Sequence, residues 1–209
     1  AQHHPLDLAK AVASLDVLSA GRVEVGVGYG WNRLELADHG IDWPDRRAAF
    51  GEKLAVVRRL WTDEVVSAEG RYVTFAPSWS WPKPVQRPHP PVLVGAAGTD
   101  ATLADVVELA DGWYPLATPE VPAQIGRLRQ EAARTGRPAP RITVCAMEGQ
   151  RPGVAWYSED GAARAALDEL ADGYGALGVD RLVVGVPMTD LDALTRGLDV
   201  LAALAERVA

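Results

Sequence analysis

The stretch "VLVGAAGTDATLADVVELADGWYP", residues 92–115, decides the fold. It opens on an apolar run, Pro91 to Gly95, that reads as a buried strand, and the small-residue turn Gly95 to Thr99 leads into a helix from Asp100 to Ala110. A second strand, Gly112 to Leu116, follows at once. Strand, crossover helix and strand in such close succession place the two strands parallel in one sheet.

The alternation extends in both directions. Upstream, Leu8, Val12, Leu15 and Leu18 make one helical stripe between Pro5 and Ser19, with Gly21 as its stop. The valine-rich "RVEVGVG" then reads as a strand, and Phe50, Leu54, Val57 and Leu60 mark a helix from about Asp45. Downstream come a helix over Pro119 to Thr135, carrying Val121, Ile125, Leu128 and Ala132, and a strand over Arg141 to Ala146. A loop containing Trp156 and Tyr157 leads to a helix over Gly161 to Leu177, a strand over Arg181 to Val186 and a final leucine-striped helix from Leu191 to Leu204. Five apolar strands separated by helices imply a parallel sheet covered by helices, doubly wound or closed as a barrel.

One region breaks the rhythm. At about 62–91, "EVVSAEGRYVTF" reads as a hairpin turning at Glu69-Gly70, and the prolines of "APSWSWPKPVQRPHPP" exclude a helix or an interior strand. It is an insertion within a single domain spanning 1–209, and its Trp79 and Trp81, with Trp156 and Tyr157, are candidates to roof an apolar pocket.

Composition narrows the function. The 28 acidic and 21 basic residues leave a net charge of -7, which argues against nucleic acid or anionic membrane as partner and for a small molecule. No run reaches the roughly 18 apolar residues of a membrane span and no basic-then-apolar leader opens the sequence, so a cytoplasmic location is expected. Cys145 is the single cysteine and reads as a small core residue; the four histidines lack zinc-site spacing, and His89 reads as structural. No serine occupies a glycine-flanked strand-to-helix elbow, so hydrolase chemistry is not indicated.

Two strand ends remain as candidate sites. In Gly95, Ala96, Ala97, Gly98 and Thr99, small side chains let an anion approach main-chain N–H groups where a helix begins, although the same turn also serves as a helix cap. In "GVGYGWN", Gly28 and Gly30 open the main chain to a planar or charged group while Tyr29 and Trp31 add aromatic surface. His4, just before the first helix, is a further candidate pocket residue.

Taken together, "HHPLDLAKAVASLDVLSAGRVEVGVGYGWNRLELADHG", "FGEKLAVVRRLW", "SWSWPKPVQRPHPPVLVGAAG" and "LADGWYP" resemble the bacterial luciferase-like flavin and deazaflavin oxidoreductases, most closely the F-420-dependent branch. The resemblance runs from about Gln2 to Val186. It implies a (β/α)8 TIM barrel with its site at the C-terminal strand ends, of which this chain supplies about the last five strand-helix units. It also implies hydride transfer between the deazaflavin coenzyme F-420 and a small organic substrate, or, in the alternative, an FMN-dependent monooxygenase; a non-catalytic relative is the alternative from another class.

By the resemblance, Tyr29 and Gly30 match the coenzyme-contacting loop after the family's fourth strand, Ala96 to Thr99 the loop after its fifth, and His4 a polar pocket residue. Trp31 stands where some sugar-phosphate dehydrogenases of the family carry an acidic proton donor, which puts that activity in doubt. The first three strand-helix units have no counterpart in this chain, and five strands cannot close the barrel. The open edges are therefore expected to be covered by an N-terminal segment, a second chain or a homodimeric partner.

Overall fold

In the computed structural model of the protein, which describes residues 1–147, 161–185 and 191–208, the strand and helix alternation is present. The elements are α1 (Pro5–Leu18), β1 (Val25–Val27), α2 (Arg33–Asp38), a 3-10 turn (Trp43–Asp45), α3 (Arg46–Thr62), β2 (Val65–Glu69) and β3 (Thr74–Trp79). They continue with β4 (Val92–Val94), α4 (Asp100–Leu109), β5 (Gly112–Trp113), α5 (Val121–Arg134), β6 (Arg141–Ala146), α6 (Gly161–Ala176), β7 (Arg181–Val184) and α7 (Leu191–Val208).

Five strands make one sheet in the order β1-β4-β5-β6-β7, a partial barrel, with β1 parallel to β4 and β6 parallel to β7. Trp156, Tyr157 and Val186 lie outside the described residues. The chain divides into two compact units, Ala1–Ala96 with Asp105–Gly112 and Ala97–Ala104 with Trp113–Ala209.

In the first unit, α1 begins on Pro5, whose missing N–H costs nothing at a helix start, and stops before Gly21 at φ +79°. Its small buried residues Ala9 and Ala13 let α3 approach closely, and the buried Trp61 indole N–H donates to the Ala9 carbonyl at 3.0 Å. The expected α3 stripe of Phe50, Leu54, Val57 and Leu60 is buried. Helix α2 escapes periodicity because Leu36 is its one buried side chain, but Asn32 caps it through Leu34 N and Glu35 N, and Leu36 clusters with Ile41 and Ala49.

The hairpin is present, although its turn spans 70–73 and β3 runs on through Pro77 to Trp79, which a two-stranded sheet with free strand edges allows. Glu52 of α3 anchors the turn, accepting from Arg71 N at 3.1 Å and from Tyr72 N and Val73 N at 2.8 Å. The proline-rich segment is tied down by the fully buried Asp16 of α1, whose carboxylate accepts from Val85 N, Gln86 N and Gln86 Nε2 at 2.8, 3.0 and 2.7 Å. Gln86 Nε2 also donates to the Val23 carbonyl, and Lys83 Nζ donates to the Leu60 and Asp63 carbonyls.

All these anchors lie at the exit of α1 and α3 and the entry of β1. The insertion therefore sits at the N-terminal strand end, and the exposed Trp79 and Trp81 do not roof a pocket at the opposite end, where sites of such sheets lie.

In the second unit, Val121, Ile125, Leu128 and Ala132 of α5 are all buried, as their spacing predicts. Strand β6 turns Ile142, Val144 and Ala146 into the interior, with Ala146 clustering with Leu167 and Leu204 and packed by Leu182 and Val184 of β7. The strand expected over Gly112 to Leu116 shortens to β5 because Pro115 interrupts it; pairing resumes as a single parallel bridge between Leu116 and Cys145.

Candidate functional site

The loop leaving β1 is built by two glycines with different physical reasons. A Cβ on Gly28 would lie 3.1 Å from the Gly95 carbonyl oxygen, so the ends of β1 and β4 approach as closely as glycine permits. Gly30 has φ +89°, and a Cβ there would meet Leu36 Cδ2 at 2.9 Å.

Between them, the Tyr29 side chain turns into the first unit rather than outward. Its ring packs edge-on to Phe50 with centroids 4.9 Å apart, and its hydroxyl donates to Asp105 Oδ2 at 2.7 Å. The same carboxylate takes Arg47 Nε at 2.5 Å and Arg47 Nη2 at 2.7 Å. Asp105 is buried, and its hydrogen bond holds the Arg47 guanidinium above its ordinary pKa. Trp31 is 85% exposed, so an indole and not a carboxylate faces out at this position.

Beside β1 runs a groove of about 340 Å³ lined by Leu8, Val25, Phe50, Leu54 and Val57, with His3, Gly28, Gly30 and Lys53 toward one end. Lys53 occupies the inward stripe of α3, donates to the Ala1 carbonyl at 2.5 Å, and has its pKa lowered by burial. Ala1 N donates to the Gly28 carbonyl at 3.1 Å, which places the chain entering α1 against the end of β1. The helical spacing of Lys53 with Phe50 and Val57 was the sequence signal for this residue. His4 is exposed and its Nδ1 accepts from Leu6 N at 3.3 Å as the α1 cap, so its neighbour His3 lines the groove in its place.

The second candidate loop starts in the first unit, where Gly95 N donates to the Val27 carbonyl at 2.7 Å and Ala96 follows. Ala97, Gly98 and Thr99 belong to the second unit. Thr99 Oγ1 accepts from Thr102 N at 3.2 Å and shares a 3.0 Å hydrogen bond with Thr102 Oγ1, so the hydroxyl caps α4. A Cβ on Gly98 would lie 2.5 Å from Gln124 Oε1 and 2.8 Å from Trp113 Cζ2. Arg127 of α5 bonds Asp100 at 2.5 Å and the Gly98 carbonyl at 3.2 Å, placing a guanidinium beside this turn.

The second unit also presents Tyr114, Leu116, Cys145 and Met147, the alternate positions to the buried Trp113, Val144 and Ala146. Leu116 and Met147 are exposed, and Cys145 is half-buried rather than part of the core. Burial raises the Tyr114 phenol, and a hydrogen bond with Cys145 adds to the rise. Among the described residues, no group of His, Cys, Asp and Glu has the arrangement of a metal site, and no helix is long and apolar enough to cross a membrane.

Residues 1–190 match the family described as luciferase-like monooxygenase. The chain belongs to this family. An uncharacterized protein of Mycobacterium tuberculosis is 54% identical over 112 residues, 54% of this chain and 39% of its own length. The F420-dependent glucose-6-phosphate dehydrogenase of Beutenbergia cavernae is 36% identical over 104 residues, 48% of this chain and 30% of its length. The FMNH(2)-dependent dimethylsulfone monooxygenase of Pseudomonas putida is 29% identical over 138 residues, 63% and 38%.

The monooxygenase RslO1 of Streptomyces bottropensis superposes with a TM-score of 0.81 at 24% identity, over 100% of this chain and 75% of that one, which places this luciferase-like sheet among TIM-barrel relatives. The luciferase-like chain spans well under half the length of the curated relatives it matches. By their names, the Beutenbergia cavernae relative depends on F420 and the Pseudomonas putida relative on FMNH(2).

Proposed function

We propose that the protein is an oxidoreductase that moves a hydride between the deazaflavin coenzyme F-420 and a small organic substrate. The observation that carries this reading is the glycine-built approach of two strand ends, Gly28 against the Gly95 carbonyl, in a chain of the luciferase-like family. The Gly95 N–H there is taken by the Val27 carbonyl, so the space offered to a planar ring is the groove beside β1, lined by Gly28, Gly30, Val25, Phe50 and Leu54. The F420-dependent relative supports deazaflavin as the coenzyme.

The residues fit such a group chemically. Gly28, Tyr29 and Gly30 would hold it by main chain, with His3 and Lys53 as the polar groups of the groove beside β1. Within the second unit, Arg127 beside Gly98 places a cation at the start of α4, suited by itself to an anionic group. When bound, the deazaflavin would supply the hydride chemistry, and the chain its orientation. Oxidation of a sugar phosphate is not proposed, because Trp31 cannot exchange the hydroxyl proton that an acidic residue exchanges.

Absorbance titration of the full-length protein with oxidised and reduced F-420 tests the proposal. Saturable binding at micromolar levels is expected, and its absence at those levels refutes the reading. A second reading, an FMN-dependent monooxygenase, is supported by the Pseudomonas putida relative; flavin that co-purifies and turns over with oxygen would select it. The edge of β1 that β4 leaves free is proposed to be covered by a preceding segment of the chain or by a second copy, which light scattering of the full-length protein distinguishes.

A further inference from the structure

The tripeptide Gly28-Tyr29-Gly30 would be mobile by composition, since glycine restricts its backbone least. Two contacts hold its one side chain, and a third residue braces one of them. Phe50 receives the Tyr29 ring edge-on, Asp105 of α4 accepts the Tyr29 hydroxyl at 2.7 Å, and Arg47, at the start of α3, grips both oxygens of Asp105 at 2.5 and 2.7 Å. Asp105 is 7% exposed, and its carboxylate engages three donors in this arrangement. A charge so placed is stable only while those donors remain, so it holds their geometry in turn.

We propose that Asp105 is a positioning residue for the cofactor: acting through Tyr29 and braced by Arg47, it fixes the Gly28 to Gly30 main chain in its ligand-ready form. The inference rests on the proposed binding of a flavin-type cofactor at this loop. Ordering the loop during folding removes that entropic loss from the binding step, and affinity rises accordingly.

The test uses the full-length protein and the variants Tyr29→Phe, Asp105→Asn and the double variant. Tyr29→Phe removes one oxygen and leaves the Arg47–Asp105 pair, so it stays folded if Asp105→Asn does not. Two quantities are read: hydrogen exchange at Gly28 to Gly30 in the free protein, and the Kd for F-420 and for FMN.

The expected result is faster exchange at those amides in each variant, and a Kd about five- to tenfold higher for whichever cofactor binds the wild type. The double variant should be no worse than Asp105→Asn alone, because both changes break one linkage. Unchanged Kd in Tyr29→Phe, or additive losses in the double variant, would overturn the proposal whatever happens to melting temperature. Failure of the wild type to bind either cofactor overturns the functional reading and this assignment with it, while altered exchange alone would show a clamp serving only the fold.

Discussion

Replacing Asp16 by alanine should be among the most damaging single changes in the first unit, although Asp16 is far from any proposed ligand contact. Its carboxylate is fully buried and is the acceptor for Val85 N, Gln86 N and Gln86 Nε2. Truncation leaves two main-chain donors without that acceptor, at about 1–3 kcal/mol for each buried group. Partial access of water at Val85 and Gln86 places the sum near 3 kcal/mol, or about 6–12 °C in Tm for a chain of this size.

Urea unfolding of the full-length protein, with the m value unchanged, measures it. The pH dependence supplies a second check. Burial by itself raises the Asp16 carboxyl, but the donors from Gln86 and Val85 together outweigh it, so the folded value lies below the ordinary 3.8. Such a group adds stability above pH 3.8 and loses it as pH falls through the depressed folded value. The gap between wild type and Asp16→Ala should therefore narrow in that acidic window and stay constant from pH 5 to 8. A difference below about 0.5 kcal/mol at pH 7 would show that surface-like behaviour governs this site and refute the reasoning.

Two other changes probe the remaining anchors. Glu52→Ala removes the acceptor for three turn N–H groups and should cost about 2 kcal/mol, with faster exchange confined to residues 70–73 measured by hydrogen exchange. Gly98→Val places its Cβ against the Gln124 amide and the buried Trp113 ring; Gln124 can swing away and Trp113 cannot, so about 1–3 kcal/mol of destabilisation is expected in a thermal melt.

The sequence by itself determined the strands of the sheet, the long helices between them and their order, but not the short α2. Val121, Ile125, Leu128 and Ala132, or Phe50, Leu54, Val57 and Leu60, declare a helix and its buried face because a helix repeats every 3.6 residues and burial follows that period. Asn32 followed by Glu35 was a readable capping pattern for α2 that periodicity over six residues does not reveal.

Tertiary structure decided what single polar side chains do. Asp16 and Lys53 sit on helices like many surface charges, and only the neighbours brought in from Val85, Gln86 and Ala1 make them anchors. The glycines at 28 and 95 were legible as places where backbone is exposed, but their mutual approach, and the linkage of Tyr29 to Asp105 and Arg47, join residues distant in sequence. Periodicity carries the average environment of a position; a hydrogen bond depends on one donor and one acceptor meeting within about 3 Å, and that meeting exists only once the chain has folded.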